Sequence, residues 1–284
     1  MADSVVISLA NDALNTGLET VSKKLEALGL PPITTVLNEG KINLEKCLVN
    51  DVQSQSIPVH CNLAASFGKL NKESVKMMDE KLKVLIAGTV RELQKVPSNN
   101  LSWEEVISIF NQNSLMERVG NSEISKTDKL IKDYGTSFFK IDGSPDTSVV
   151  KEVESWFINL LGNDQDIVDD TKIDINMLAD IVAASGASVD SFEALFGKKE
   201  THEKTLVDIG ILRFPDFENP FVKVYRIKLT AWSDCSRVLF VQDDKNGITG
   251  EFNSIKYKPR ESVISELKQE TKKKAVAEAE ALFD

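Results

Sequence analysis

The chain has 284 residues, 42% of them hydrophobic and 27% charged, with 14 Gly and 8 Pro. This composition fits a globular protein with a sizeable core and argues against disorder along most of the length. A formal net charge of -10 and the lack of a basic stripe exclude nucleic acid as a natural partner and give no electrostatic pull toward anionic lipid.

In chain order, the start MADSVVISLANDALNTG lacks a basic n-region and a continuous apolar run, so no secretory signal is expected. From Val6, apolar residues recur at Leu9, Ala10, Ala13, Leu14, Leu18, Val21, Leu25 and Leu28. That is one face of an amphipathic helix, ended by Gly29 and Pro31-Pro32. A short helix is expected over Leu44 to Asp51. Ser56 to Leu63 reads as extended, and Pro58 confines it to a sheet edge.

A long helix is expected from Lys72 to Val96, with Met78, Leu82, Leu85, Ile86, Val90 and Leu93 on one stripe. Asn100 or Ser102 caps the next, which starts near Trp103 with Glu104 and Glu105 in its first turn. Residues 121–133 read as a polar, weaker helix, and Thr136 to Ile141 as a short strand. Further helices are expected at 146–161, 174–184 and Ser188 to Leu195.

After Gly197 the period changes to two. Glu203 to Phe214 alternates, with Val207, Ile209 and Ile211 on one side. Pro220 to Trp232 is a long strand with Phe221, Tyr225, Ile227 and Leu229 on one face and Val222, Val224, Arg226, Lys228 and Thr230 on the other. Cys235 to Gln242 and Ile248 to Tyr257 complete a meander, their turn expected at Asn246-Gly247. Pro259 ends the sheet, and residues 261–282 form a polar helix whose Lys272 to Lys274 run is a candidate trimming site. No stretch of about 20 apolar residues occurs, so no constitutive membrane helix is expected.

The expected fold class is α/β in an α+β arrangement, a single domain over 1–284. Its helical layer lies mainly at 3–195, its sheet mainly at 203–258, and its C-terminal helix at 261–282. No Gly/Ser/Pro-rich linker divides the chain, and the strands are too few to close a core without the helices.

Motifs of chemistry are absent. His60 and His202 are the two histidines, and His60 adjoins Cys61 on a strand, where neighbours point to opposite faces. No metal-ligand spacing, phosphate loop, dinucleotide fingerprint or nucleophile elbow occurs. Asp166 to Asn176 is rich in carboxylates but lacks the mid-loop Gly and closing Glu of a calcium loop, and reads as a solvated helix boundary. The 44 acids have no context that nominates a general acid. No enzyme, metal or dissociable cofactor is expected.

Three cysteines, Cys47, Cys61 and Cys235, make an odd number without paired spacing, which points to synthesis in a reducing compartment. Cys235, in Trp232-Ser-Asp-Cys-Ser236 between two expected strands, reads as a free thiol at a hairpin. The sharper reading makes it a lipid-carrying thiol beside an apolar pocket, with Cys61 and then Cys47 competing for that role.

Four pieces in order, Leu195 to Thr201, Val224 to Trp232, Arg237 to Asp243 and Asn253 to Tyr257, resemble the sheet of the Cyt-type δ-endotoxins, or cytolysins. That fold family extends to the distantly related Erwinia virulence factor, an insect-gut persistence protein with a fatty acid on a buried cysteine. The resemblance covers under a quarter of the chain. It implies a sheet wrapped by helical hairpins, cytoplasmic synthesis without a signal peptide, and release to act on a host membrane as a toxin. It also implies the alternative, a non-lytic virulence or lipid-binding protein with palmitate or another fatty acid on a buried cysteine. The partners implied are membrane lipid or fatty acid. Strand insertion meets one obstacle, since Arg226 and Lys228 would each cost about 2–4 kcal/mol facing lipid at the midplane.

Overall fold

The computed structural model describes residues 55–56, 59–68, 70, 72–97, 101–136, 147–183, 198–238 and 241–283. Three long strands form its centre: β5 (Lys198–Phe214), β6 (Phe221–Val238) and β7 (Val241–Pro259), an antiparallel meander. Both edges are supplied by earlier parts of the chain. Short β1 (Gln55–Ser56) and β2 (His60–Leu63) run parallel to β5, while β3 (Met116–Arg118) and β4 (Ile124–Thr136) pair antiparallel with β7. Among the described residues the sheet thus has seven strands and is mainly antiparallel, as the short connections between the long strands imply.

Alternation gives this sheet two apolar faces. Leu206, Leu212, Phe214, Tyr225, Ile227, Leu229, Ala231, Ile248 and Phe252 occupy face one, with α3 (Thr147–Leu160), α4 (Gln165–Asp170) and α5 (Ile175–Ala183) packed on it. Val207, Ile209, Ile211, Val222, Val224, Ile255 and Tyr257 occupy face two, under α1 (Glu73–Lys95) and α2 (Trp103–Gln112). The C-terminal α7 (Gln269–Phe283) lies on α1, following the short α6 (Glu261–Glu266). Helices that are apolar on one stripe only must bury it somewhere, and a two-faced sheet accepts two layers.

The predicted stripe of α1 is the observed one, for Leu82, Leu85, Ile86, Val90 and Leu93 are all buried. Ser102 caps α2 by accepting from Glu105 N at 3.2 Å. β2 pairs with β5 on one side at the sheet's edge, where an edge strand was expected, and residues 57–58 lie outside the described residues. The helices expected at 6–28, 44–51 and 188–195 lie outside the described residues, as does the strand of Thr136 to Ile141 beyond Thr136.

Four expectations are corrected. Residues 124–136 are strand β4, not helix, because the open edge of β7 offers them a complete ladder. Asn246-Gly247 is no turn. It sits inside β7, opposite Ser233 and Trp232, and the β6–β7 ladder runs on past it to Val238 and Val241. Gly247 is needed there for room, since an added Cβ would lie 2.6 Å from Trp232 Cζ2. Cys235 therefore stands within β6, paired with Glu200 and Asp244, rather than between strands. The helix of 261–282 is interrupted at Leu267, whose extended backbone separates α6 from α7.

Candidate functional site

The polar side chains that the apolar period would not place in a core gather where β2, β5 and β6 meet the loop after α4. Asp208 interrupts the run Val207-Asp208-Ile209 on β5 and has no exposed surface. Its Oδ2 accepts Thr171 Oγ1 at 2.6 Å and Lys172 N at 3.1 Å, and its Oδ1 lies 2.9 Å from His60 Nε2. Strand alternation puts His60 and Asn62 on the same side of β2, so both reach inward. Asn62 donates to Asp170 Oδ1 at 2.8 Å, and His60 Nδ1 lies 3.4 Å from Asp170 Oδ2.

Tyr225 closes the cluster. Its hydroxyl donates to Asp170 at 2.7 Å, over Gly210, the residue opposite it on β5. Any side chain at Gly210 would collide with the ring, for an added Cβ would lie 2.3 Å from Tyr225 Cζ. Burial, and then the charges of Asp208 and Asp170, push the Tyr225 hydroxyl far above its ordinary range, so it stays protonated and able to donate.

Every strong donor here is matched to an acceptor, and both ring nitrogens of His60 face carboxylates. The Thr171 hydroxyl is spent on Asp208 and on Ile173 N. The Tyr225 hydroxyl also lies 3.4 Å from His60 Nε2. The cluster braces the edge strand and the loop after α4 against the sheet. Asp170 is buried, which corrects the reading of residues 166–176 as merely a solvated boundary. Among the described residues no group of His, Cys, Asp and Glu side chains could hold a metal ion. The sequence signal for this cluster was Asp208 inside an apolar strand, together with polar His60 and Asn62 two residues apart.

Of the cysteines named as lipid carriers, Cys61 and Cys235 are not brought together. Cys61 points to face two and is half-buried against its core. Arg213 Nη1 donates to Cys61 O at 3.2 Å and lies 3.4 Å from its Sγ. Burial pushes the Cys61 thiol from 9.0 up to about 11, with Arg213 pulling part of the way back. Cys235 lies toward the far end of β6, well beyond Val224, the residue in register with the β5 neighbour of Cys61. Cys47 lies outside the described residues, and His202 is in β5 opposite Ser233, remote from His60.

On face two, the Arg213 guanidinium pairs with Asp79 of α1 at 2.8 Å, and Arg226 donates to Leu101 O at 2.9 Å and to Glu251 at 3.2 Å. A groove of about 400 Å³ opens in this layer between α1 and α7, with Val84, Leu85, Leu115, Leu267, Val276 and Ala279 among its walls.

Fold and site together define a mixed α/β protein, a mainly antiparallel sheet between two helical layers with a buried polar brace at one edge. No protein-family profile matches the chain, and no curated protein does. Among solved structures it is similar to one described as the structure of the Evf virulence factor, at 11% identity over 85% of this chain and 89% of that one. The TM-score is 0.22, a level at which neither fold nor function transfers.

Proposed function

We propose that this is a toxin-like virulence protein that acts on host membranes when the helical layer on face one leaves the sheet. One observation carries the reading: the middle of the three long strands, with Ile227, Leu229, Ala231, Ile248 and Phe252, presents an apolar stretch of face one beneath a layer of short helices. The strands are 17, 18 and 19 residues long, whereas a membrane strand needs about 9–11. Of the charges that would oppose insertion, Arg226 and Lys228 are on the other face and share Glu251, whereas Asp208 and Lys223 are on face one, held by Thr171 and Asp164 at the two ends of α4. A sheet that turned face one to lipid would keep Arg226 and Lys228 away from it and would have to neutralise Asp208 and Lys223 on the way. In this reading the polar brace holds the edge closed and carries out no reaction. Among the described residues no helix is long and apolar enough to cross a membrane, so the strands are the elements assigned to insertion.

The test is dye release from neutral and anionic liposomes, before and after limited trypsin treatment. Release at low protein-to-lipid ratio supports the proposal, and silence under every condition sinks it. A second reading, a non-lytic lipid-binding protein with an S-acylated cysteine, is favoured by half-buried Cys61 and by the apolar groove in the same layer, although Cys61 is not among the groove's walls. It requires a hydroxylamine-sensitive mass increase in protein from the native host. Three unmodified thiols there would end it.

A further inference from the structure

β4 is the outermost strand on its side of the sheet. It pairs with β7 residue for residue from Ile124 to Thr136, without a bulge or a proline, and no described strand lies on its other side. A regular edge of this length presents a row of outward N–H and C=O groups, a template for another strand, although the Lys129 N–H already donates to Asp128 Oδ1 at 2.8 Å. Residues 123–129 are exposed, and Ile124 and Ile131 rank among the large apolar side chains left in solvent.

We propose that this edge is a self-association seam, where β4 of a second copy pairs antiparallel with β4 about a two-fold axis normal to the sheet. Such an axis keeps each face on its own side, so opposed residues must have the same parity. The register centred on Leu130 pairs the whole strand. It sets Asp128 opposite Lys132 twice, Lys129 beside Ile131 twice, and opposes no like charges. Centring on Lys129 or Lys132 opposes lysine to lysine, and centring on Asp128 opposes aspartate to aspartate. The register centred on Ile131 sets Lys129 opposite Asp133 but leaves Ile124 and Ser125 unpaired within the strand. Charge and length together select Leu130. The seam is narrow, so the dimer is weak, reversible and weakened by salt.

Sedimentation velocity on the full chain, from micromolar to millimolar concentration and at two salt levels, tests this. The wild type is expected to dimerise reversibly. Asp128→Lys and Lys132→Asp each turn two attractive pairs repulsive and should weaken association roughly tenfold. The double swap Asp128→Lys/Lys132→Asp restores it. Because Asp128 also accepts Trp156 Nε1 at 3.0 Å and Lys132 pairs with Glu152, circular dichroism checks each variant's fold. Leu130→Cys gives an independent reading, since residues at the two-fold centre are close enough to form an intermolecular disulfide. A monomer at every concentration overturns the proposal. So does a dimer indifferent to the swaps and not cross-linked through position 130, which would place the interface elsewhere.

Discussion

Asp208 holds a full set of donors with no exposed surface, and the residues around it behave as one network. Tyr225→Phe removes the donor to Asp170 without changing the packing of the ring. The expected loss is about 1–3 kcal/mol, the cost of one buried acceptor left short, read as a fall in the urea midpoint. Gly247→Ala should cost a similar amount, roughly 1–3 kcal/mol, because its new methyl meets Trp232 Cζ2 at 2.6 Å and Leu130 O at 2.9 Å. That glycine also marks a limit of sequence reading. Asn-Gly names a turn when only local preference counts, but here the glycine makes room for a ring from the neighbouring strand. Cys61 yields a pH dependence. Below about pH 9 its thiol is neutral in the folded and the unfolded chain, and its contribution to stability is complete. Between 9.0 and about 11 the unfolded thiol ionises first, so stability falls as pH rises. Urea melts from pH 8 to 11 should fall more steeply for the wild type than for Cys61→Ala.

The link between α1 and β5 is the buried pair of Asp79 and Arg213, with side chains only 2% and 7% exposed. Asp79→Ala leaves an uncompensated guanidinium under α1 and should cost about 3–5 kcal/mol by chemical denaturation. A partner this distant in sequence is invisible in composition, whereas α1 itself was legible from its stripe of Leu82, Leu85, Ile86, Val90 and Leu93. β4 shows the opposite case. Its charges, Lys126, Asp128, Lys129, Lys132 and Asp133, resemble a solvated helix face, yet they also suit an edge strand, whose exposed side chains need no apolar partner. Propensity is weak for such a segment, and the unpaired edge of β7 decides its state. The polar brace was missed for a related reason, as its members come from four separate stretches of chain.

The whole molecule is a sheet held between two layers with different anchors. Face two is tied by Asp79 to Arg213 and by Arg226 to Leu101 O, while face one is tied by apolar contact, by the ion pairs of Lys223 with Asp164 and Lys132 with Glu152, and by Tyr225 to Asp170. β6 is flanked by strands on both sides and covered on both faces, so its amides from Val222 to Ala231 should exchange slowest with deuterium, and those of exposed β4 among the fastest. Equal protection across β4 and β6 in the monomer would contradict this arrangement. Periodicity in the sequence determined the period-two strands, the stripe of α1 and helices over the spans of α2, α3 and α5, because amphipathic order is written locally along the chain. Tertiary structure alone decided that residues 124–136 are strand, that Asn246-Gly247 runs straight, and that His60, Asp170, Asp208 and Tyr225 meet, because hydrogen-bond partners and close approach come from residues far apart in sequence.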